Sequence, residues 1–212
     1  MVTVTRAEAA EGAAERHQDL VVQLAERTAR LGVKTHQIAT LDEAATLIAE
    51  LATDGGPAAF PPAVGEPWRV AIAPSLDASH PALRQHLVAR EVAIGAVEVA
   101  DPGGSFAGVS VGISIAAHGV AETGTLVVVD PLEDRLVRML SPKHVVLLAI
   151  DDLLPSLDEA AERMVALIAT GAAPYLTFIT GPSRTADIEM SLTVGAHGPA
   201  ELHIVVMGGA TK

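Results

Sequence analysis

Hydrophobic positions along this chain follow two periods. Leu20, Val21, Leu24, Thr28 and Leu31 recur at three- and four-residue intervals, so they share one face of a helix, and Gly32 follows as a stop. With the Ala/Glu/Arg-rich stretch before them they predict a helical arm over about residues 1–32, packed on the main body or on a second subunit. A second helix is predicted from Thr40, where Glu43 completes a capping box and Leu41, Ala44, Ile48 and Leu51 line one face. Further helices are predicted from Ser79-His80-Pro81 to Arg90, from Ser156 (with Glu159 as a second capping box) to Thr170, and from Ser183 to Leu192.

Between them lie short apolar runs: Val33–Ala39, Arg69–Ala73, Val92–Val99, Leu126–Val129, Val145–Ile150, Leu176–Ile179 and Leu202–Val206. The continuous aliphatic runs at 126–129 and 145–150 are the pattern of strands buried on both faces. Strands alternating with helices predict an α/β fold with a largely parallel sheet flanked by helices. The stretch 55–67 holds four prolines and three glycines, but the apolar pattern resumes at once. It therefore reads as a surface loop within a single α/β domain spanning residues 1–212.

Composition narrows the chemistry. There is no cysteine, which excludes disulfides, thiolate metal sites and a cysteine-ligated iron–sulfur cluster on this chain. A formal charge of −12, with no basic patch in the sequence, argues against nucleic-acid binding. No apolar run approaches the roughly 20 residues that span a bilayer, and Met1–Arg6 lacks a signal peptide's apolar stretch, so a cytoplasmic location is expected. The histidines are dispersed and give no metal-ligand spacing, so no metal site is expected.

Two segments carry candidate chemistry. In 118–125, glycines flank Glu122, Thr123 and Thr125 just before a buried strand. Small residues let backbone amides approach a ligand, and Glu122 on such a turn is a candidate base or nucleophile beside Thr123 and Gly124. The same spacing is met by a tight turn whose carboxylate caps local amides. In 180–189, Thr180-Gly181-Pro182-Ser183-Arg184-Thr185 follows a strand and opens the predicted helix, the place where open α/β sheets bind anions. Thr180, Gly181, Ser183 and Thr185 would supply amides and hydroxyls, and Arg184 a donor fork suited to a small carboxylate or phosphate. Ordinary capping by Ser183 or Thr185, with Asp187 and Glu189 on the helix dipole, satisfies the same pattern. Gly195-Ala196-His197-Gly198-Pro199 makes a sharp turn that exposes His197, a candidate proton carrier.

The stretches AETGTLVV (121–128), LSPKHVVLLAIDDLLPSLDEA (140–160), LTFITGPSRTADIEMSLTVGAHGP (176–199) and LHIVV (202–206) together resemble the lactate-utilisation protein C (LUD-domain) family. The resemblance implies a fold like that of the ribose-phosphate isomerase, glucosamine-phosphate deaminase and CoA-transferase superfamily. It implies a role in oxidising L-lactate to pyruvate alongside iron–sulfur partner proteins, with which the absence of cysteine here agrees. One departure is Ile115-Ala116-Ala117-His118, where many relatives carry a Gly-Ala-Asp-aromatic stretch. Three functions follow: an accessory subunit of a lactate-oxidising system, which can also self-associate; a stand-alone enzyme using Glu122 on an acyl-CoA or sugar phosphate; and a nucleotide-binding module, against which the lack of a glycine-rich phosphate loop counts.

Overall fold

In the computed structural model, residues 6–57, 60–129, 131–169, 171, 175–186, 192–195 and 197–208 are described. In chain order the elements are α1 (Arg6–Ala29), β1 (Lys34–Ile38), α2 (Leu41–Leu51), β2 (Arg69–Ile72), α3 (Pro74–Ser79), α4 (Pro81–Ala89), β3 (Ala93–Gly95), α5 (Pro102–Phe106), β4 (Val109–Ile115), β5 (His118–Val120) and β6 (Thr125–Val129). They continue with α6 (Leu132–Leu140), β7 (Lys143–Ala149), β8 (Leu153–Leu154), α7 (Leu157–Ala169), β9 (Leu176–Ile179), β10 (Arg184–Ala186), β11 (Leu192–Val194) and β12 (Glu201–Met207).

Six strands form one parallel sheet in the order β1-β12-β7-β4-β2-β3. Its central strands β7 and β12 carry aliphatic runs, Val145–Leu148 and Ile204–Val206, because both faces are covered. Val145, Leu147, Val205 and Met207 pack in one cluster with α2, α3 and α4, while Val146, Leu148, Ile204 and Val206 pack in another with α1 and a second sheet. That second sheet runs β8-β5-β6-β9, with β6 antiparallel to both β5 and β9. β10 and β11 form a separate antiparallel ribbon.

Local chemistry sets the element ends. Thr40 caps α2 by accepting from the Glu43 amide at 3.2 Å, and Glu43 reaches back to the Ala39 amide at 2.8 Å. The other end of α2 is held by Lys143, whose ammonium donates to the Leu51 carbonyl at 2.9 Å and pairs with Asp54. Gly112 is required by a close approach. A Cβ there would stand 2.7 Å from the Val137 carbonyl oxygen, so α6 lies directly on β4. The helical arm packs within the chain: Leu24 and Thr28 are fully buried, and the Thr28 hydroxyl bonds to Thr35 on β1 at 2.8 Å.

Two expectations need correction, and one strand lies outside them all. Residues 184–186 and 192–194 are strands paired through Arg184–Val194 and Ala186–Leu192, not the ends of one helix. Residues 187–191, including Asp187 and Glu189, lie outside the described residues. The run 92–99 yields a strand only at Ala93–Gly95, because β2, its one sheet neighbour, pairs with just those three residues. Val109–Ile115, a central strand, is not announced by its hydropathy, since Ser110, Gly112 and Ser114 interrupt the apolar run. Among the described residues no helix is long and apolar enough to cross a membrane.

Candidate functional site

The first candidate segment is closed in upon itself. Gly124 has a φ of +72°, and a Cβ there would stand 3.1 Å from Thr28 Cγ2, so α1 covers the turn. The Thr123 hydroxyl donates to Thr125 at 2.8 Å, and Thr125 bonds to Thr180 at 2.8 Å. This chain of hydroxyls satisfies the half-buried oxygens and stitches β6 to the end of β9. Glu122 is exposed; its carboxylate accepts from the Leu157 amide at 3.3 Å, where negative charge suits the first turn of α7.

The second segment opens on a cleft of about 480 Å³. One wall is β9 with its extension, Tyr175 to Gly181; the other is α6, through Arg135, Arg138 and Met139. His144, the second residue of β7, forms the floor, and Ser183 with His197, Gly198 and Pro199 closes one end. The two sequence motifs are joined there. The Ser183 amide donates to the Pro199 carbonyl at 2.8 Å, the Gly195 amide donates to the Ser183 carbonyl at 2.9 Å, and a Cβ on Gly198 would lie 3.2 Å from that of Ser183.

The cleft thus gathers Thr180, Gly181, Ser183 and His197, whereas Glu122, Thr123, Gly124 and Arg184 are absent from its walls. The Arg184 guanidinium donates instead to the Leu31 carbonyl, fastening the end of α1 beside Gly181. Thr185 contributes backbone pairing to Thr193; its side chain is not among those described. The expected helix N-terminus after Pro182 is replaced by the ribbon, and the cleft lies beside the amino ends of β7 and β12, since His144 and Pro199 are its deepest links to the large sheet. The rule for open parallel sheets does not apply because Thr180 ends a strand of the smaller sheet.

Two important residues lie outside both motifs. Arg138 is only 5 % exposed, and burial pulls its guanidinium down to about 10, which leaves it charged at neutral pH. His144 is 1 % exposed; burial, then the charge of Arg138, push it down to about 3, so it is neutral. Its Nε2 shares a 2.8 Å hydrogen bond with Ser114, which fixes the ring, while Nδ1 is buried with no hydrogen-bond partner among the described residues. A neutral, oriented imidazole and a buried guanidinium are groups of the kind that can donate to an oxyanion. Arg135, one turn from Arg138, lies over the Tyr175 ring at 5.1 Å. Among the described residues no carboxylate lines the cleft, in a chain of net charge −12.

Comparison with known proteins follows the same lines. The LUD domain family model matches residues 21–207. A protein named lactate utilization protein C from Exiguobacterium sp. is 34% identical over 100 residues, 46% of this chain and 44% of that one. Its namesake in Bacillus subtilis is 32% identical over 101 residues, 46% of this chain and 42% of the relative. An uncharacterised protein of Neisseria meningitidis is 35% identical over 103 residues, 48% of this chain and 44% of that one. The matched segments span less than half the length of these relatives. In three dimensions, the crystal structure of a DUF162 family protein from Deinococcus radiodurans superposes with a TM-score of 0.59 at 16% identity, covering 91% of this chain and 98% of that one. With a family model matching residues 21–207 of its 212, the chain belongs to the LUD domain family.

Proposed function

We propose that this chain is a non-redox, oxyanion-binding component of a cytoplasmic L-lactate utilisation system, in which iron–sulfur partner proteins carry the electrons between lactate and pyruvate. The observation that supports it best is the cleft: the guanidinium groups of Arg135 and Arg138 and the imidazoles of His144 and His197 line one opening. Burial strengthens such a site, because a guanidinium held out of water attracts an oxyanion more strongly than one on the surface. Relatives named for lactate utilisation supply the biological setting. The reading is supported by the absence of cysteine from these 212 residues, which offer no thiolate to a cluster.

The test is growth on L-lactate as sole carbon source. A strain lacking the gene should fail to grow and recover with the wild-type chain, but not with Arg138→Met or His197→Ala at equal protein levels. The purified chain alone should not dehydrogenate lactate. Undiminished growth of the deletion strain would remove the lactate role, and robust turnover by the isolated chain would show it to be an enzyme in its own right.

A further inference from the structure

The cationic cleft has a second half. Met139, His197 and Gly198 also line an adjoining cleft of about 500 Å³, whose other walls are Phe60, Leu140 and Pro142, together with Ser141 and Gly195. Each half is by itself of the size that encloses a ligand much larger than a three-carbon hydroxy acid, pockets of roughly 300–1,000 Å³ being usual for drug-sized molecules. The halves differ in chemistry. The first has arginines and a fixed neutral histidine; the second is walled mainly by apolar side chains, and the Ser141 hydroxyl beside them is buried with no hydrogen-bond partner among the described residues.

Aromatic placement points the same way. The chain has five aromatic residues, and three of them, Phe60, Tyr175 and Phe178, stand at least half exposed around these two clefts. Exposing an aromatic ring forgoes the burial free energy that the same ring gains in a core, so three of five on one rim mark a surface that rings or apolar chains cover.

Resting on the anion-binding reading above, we propose that the ligand is an oxyanion joined to a planar, largely apolar body of mononucleotide size, and not free lactate. The oxyanion lies against Arg138 and His144. The body crosses the waist between Met139 and His197 into the half walled by Phe60 and Leu140.

The probes are riboflavin 5′-phosphate and adenosine 5′-phosphate as ring-bearing anions, with inorganic phosphate and L-lactate as heads without a body, each titrated into the purified full chain. At least one ring-bearing anion should bind ten-fold or more tightly than phosphate or lactate. Phe60→Ala and Leu140→Ser, both at partly exposed positions and checked for native circular dichroism, should each weaken it several-fold while leaving phosphate affinity unchanged. Ring-bearing anions that bind no better than phosphate overturn this inference and leave the anion-binding reading standing. If none of the four probes binds, both fall. If the two variants weaken phosphate as much as the ring-bearing anion, the second half is not a site for the body and the inference also falls.

Discussion

The AETGT turn and the cleft between α6 and β9 are joined by one hydrogen bond, Thr125 to Thr180, yet they use their polar groups in opposite ways. At the turn each candidate group has a contact within the protein. Gly124 admits α1, the threonine hydroxyls bond to one another, and Glu122 faces the first turn of α7. At the cleft a buried guanidinium and a buried imidazole face an opening, and one imidazole nitrogen has no partner among the described residues. On the proposed reading, the denser sequence motif is therefore not the one that meets the ligand. The turn is conspicuous because its packing demands specific small residues, whereas the site is assembled from positions scattered between Arg135 and Pro199.

The comparison breaks most visibly at Gly124. Gly124→Val places a β-branched side chain at φ +72° and against Thr28, so it should destabilise the fold by about 3 kcal/mol, read from the denaturant midpoint. The fraction that folds should keep its anion affinity. Arg138→Met should do the reverse. Losing one charged hydrogen-bond donor should cost about 2 kcal/mol of binding, roughly 30-fold in Kd, while the chain still folds. A Gly124 variant that folds normally, or an Arg138 variant that binds phosphate like wild type, would exchange the roles of the two regions.

Much of the scaffold was legible because its signals are local. The Thr40/Glu43 box, the Ser156 cap that accepts from the Glu159 amide at 3.3 Å, and the aliphatic β7 and β12 each depend on neighbours within a few residues. The ribbon at 184–194 was not legible. Ser183, Thr185 and the acids after them mimic a capped helix, while the pairing that makes them strand, Arg184 with Val194, spans ten positions. Part of the lining of the candidate cleft could be found from glycines, hydroxyls and a loop histidine, namely Thr180, Gly181, Ser183 and His197. Arg138 and His144 could not. An arginine within Leu132–Leu140 reads as a solvated helix face, and its burial comes from tertiary packing that the helix's own sequence does not announce.

Acid separates the cleft from the closed core more finely. His203 is stacked on His36 with ring centroids 5.4 Å apart, and burial followed by the charges of Lys34 and His36 pushes it down to about 4. Both His203 and His144 are neutral when folded but take up a proton near pH 6.5 when unfolded. Their contribution to stability is therefore complete above pH 6.5 and is lost as the pH falls toward about 4 for His203 and about 3 for His144. Each histidine contributes a slope of at most about 1.4 kcal/mol per pH unit across its window. His203→Gln should flatten the acid limb of the stability curve without changing anion affinity. His144→Gln should flatten it and weaken the anion as well. Equal loss of affinity in both variants would mean that the cleft and the core are not separable.

The smallest expected effect is the sharpest test of the turn. Glu122→Gln keeps an oxygen that can accept from the Leu157 amide and removes only the charge that favours the α7 amino terminus. At an exposed position this should change stability by at most about half a kcal/mol, within the range of ordinary surface changes. Growth on lactate and affinity for the cleft ligand should be unaltered. A nucleophile or base behaves differently: replacing a carboxylate that reacts by an amide that cannot would abolish activity while sparing both the fold and the binding. Lost growth, with normal unfolding and normal anion affinity, would therefore identify Glu122 as the reacting group and place the chemistry at the turn, with the cleft holding the remainder of its substrate.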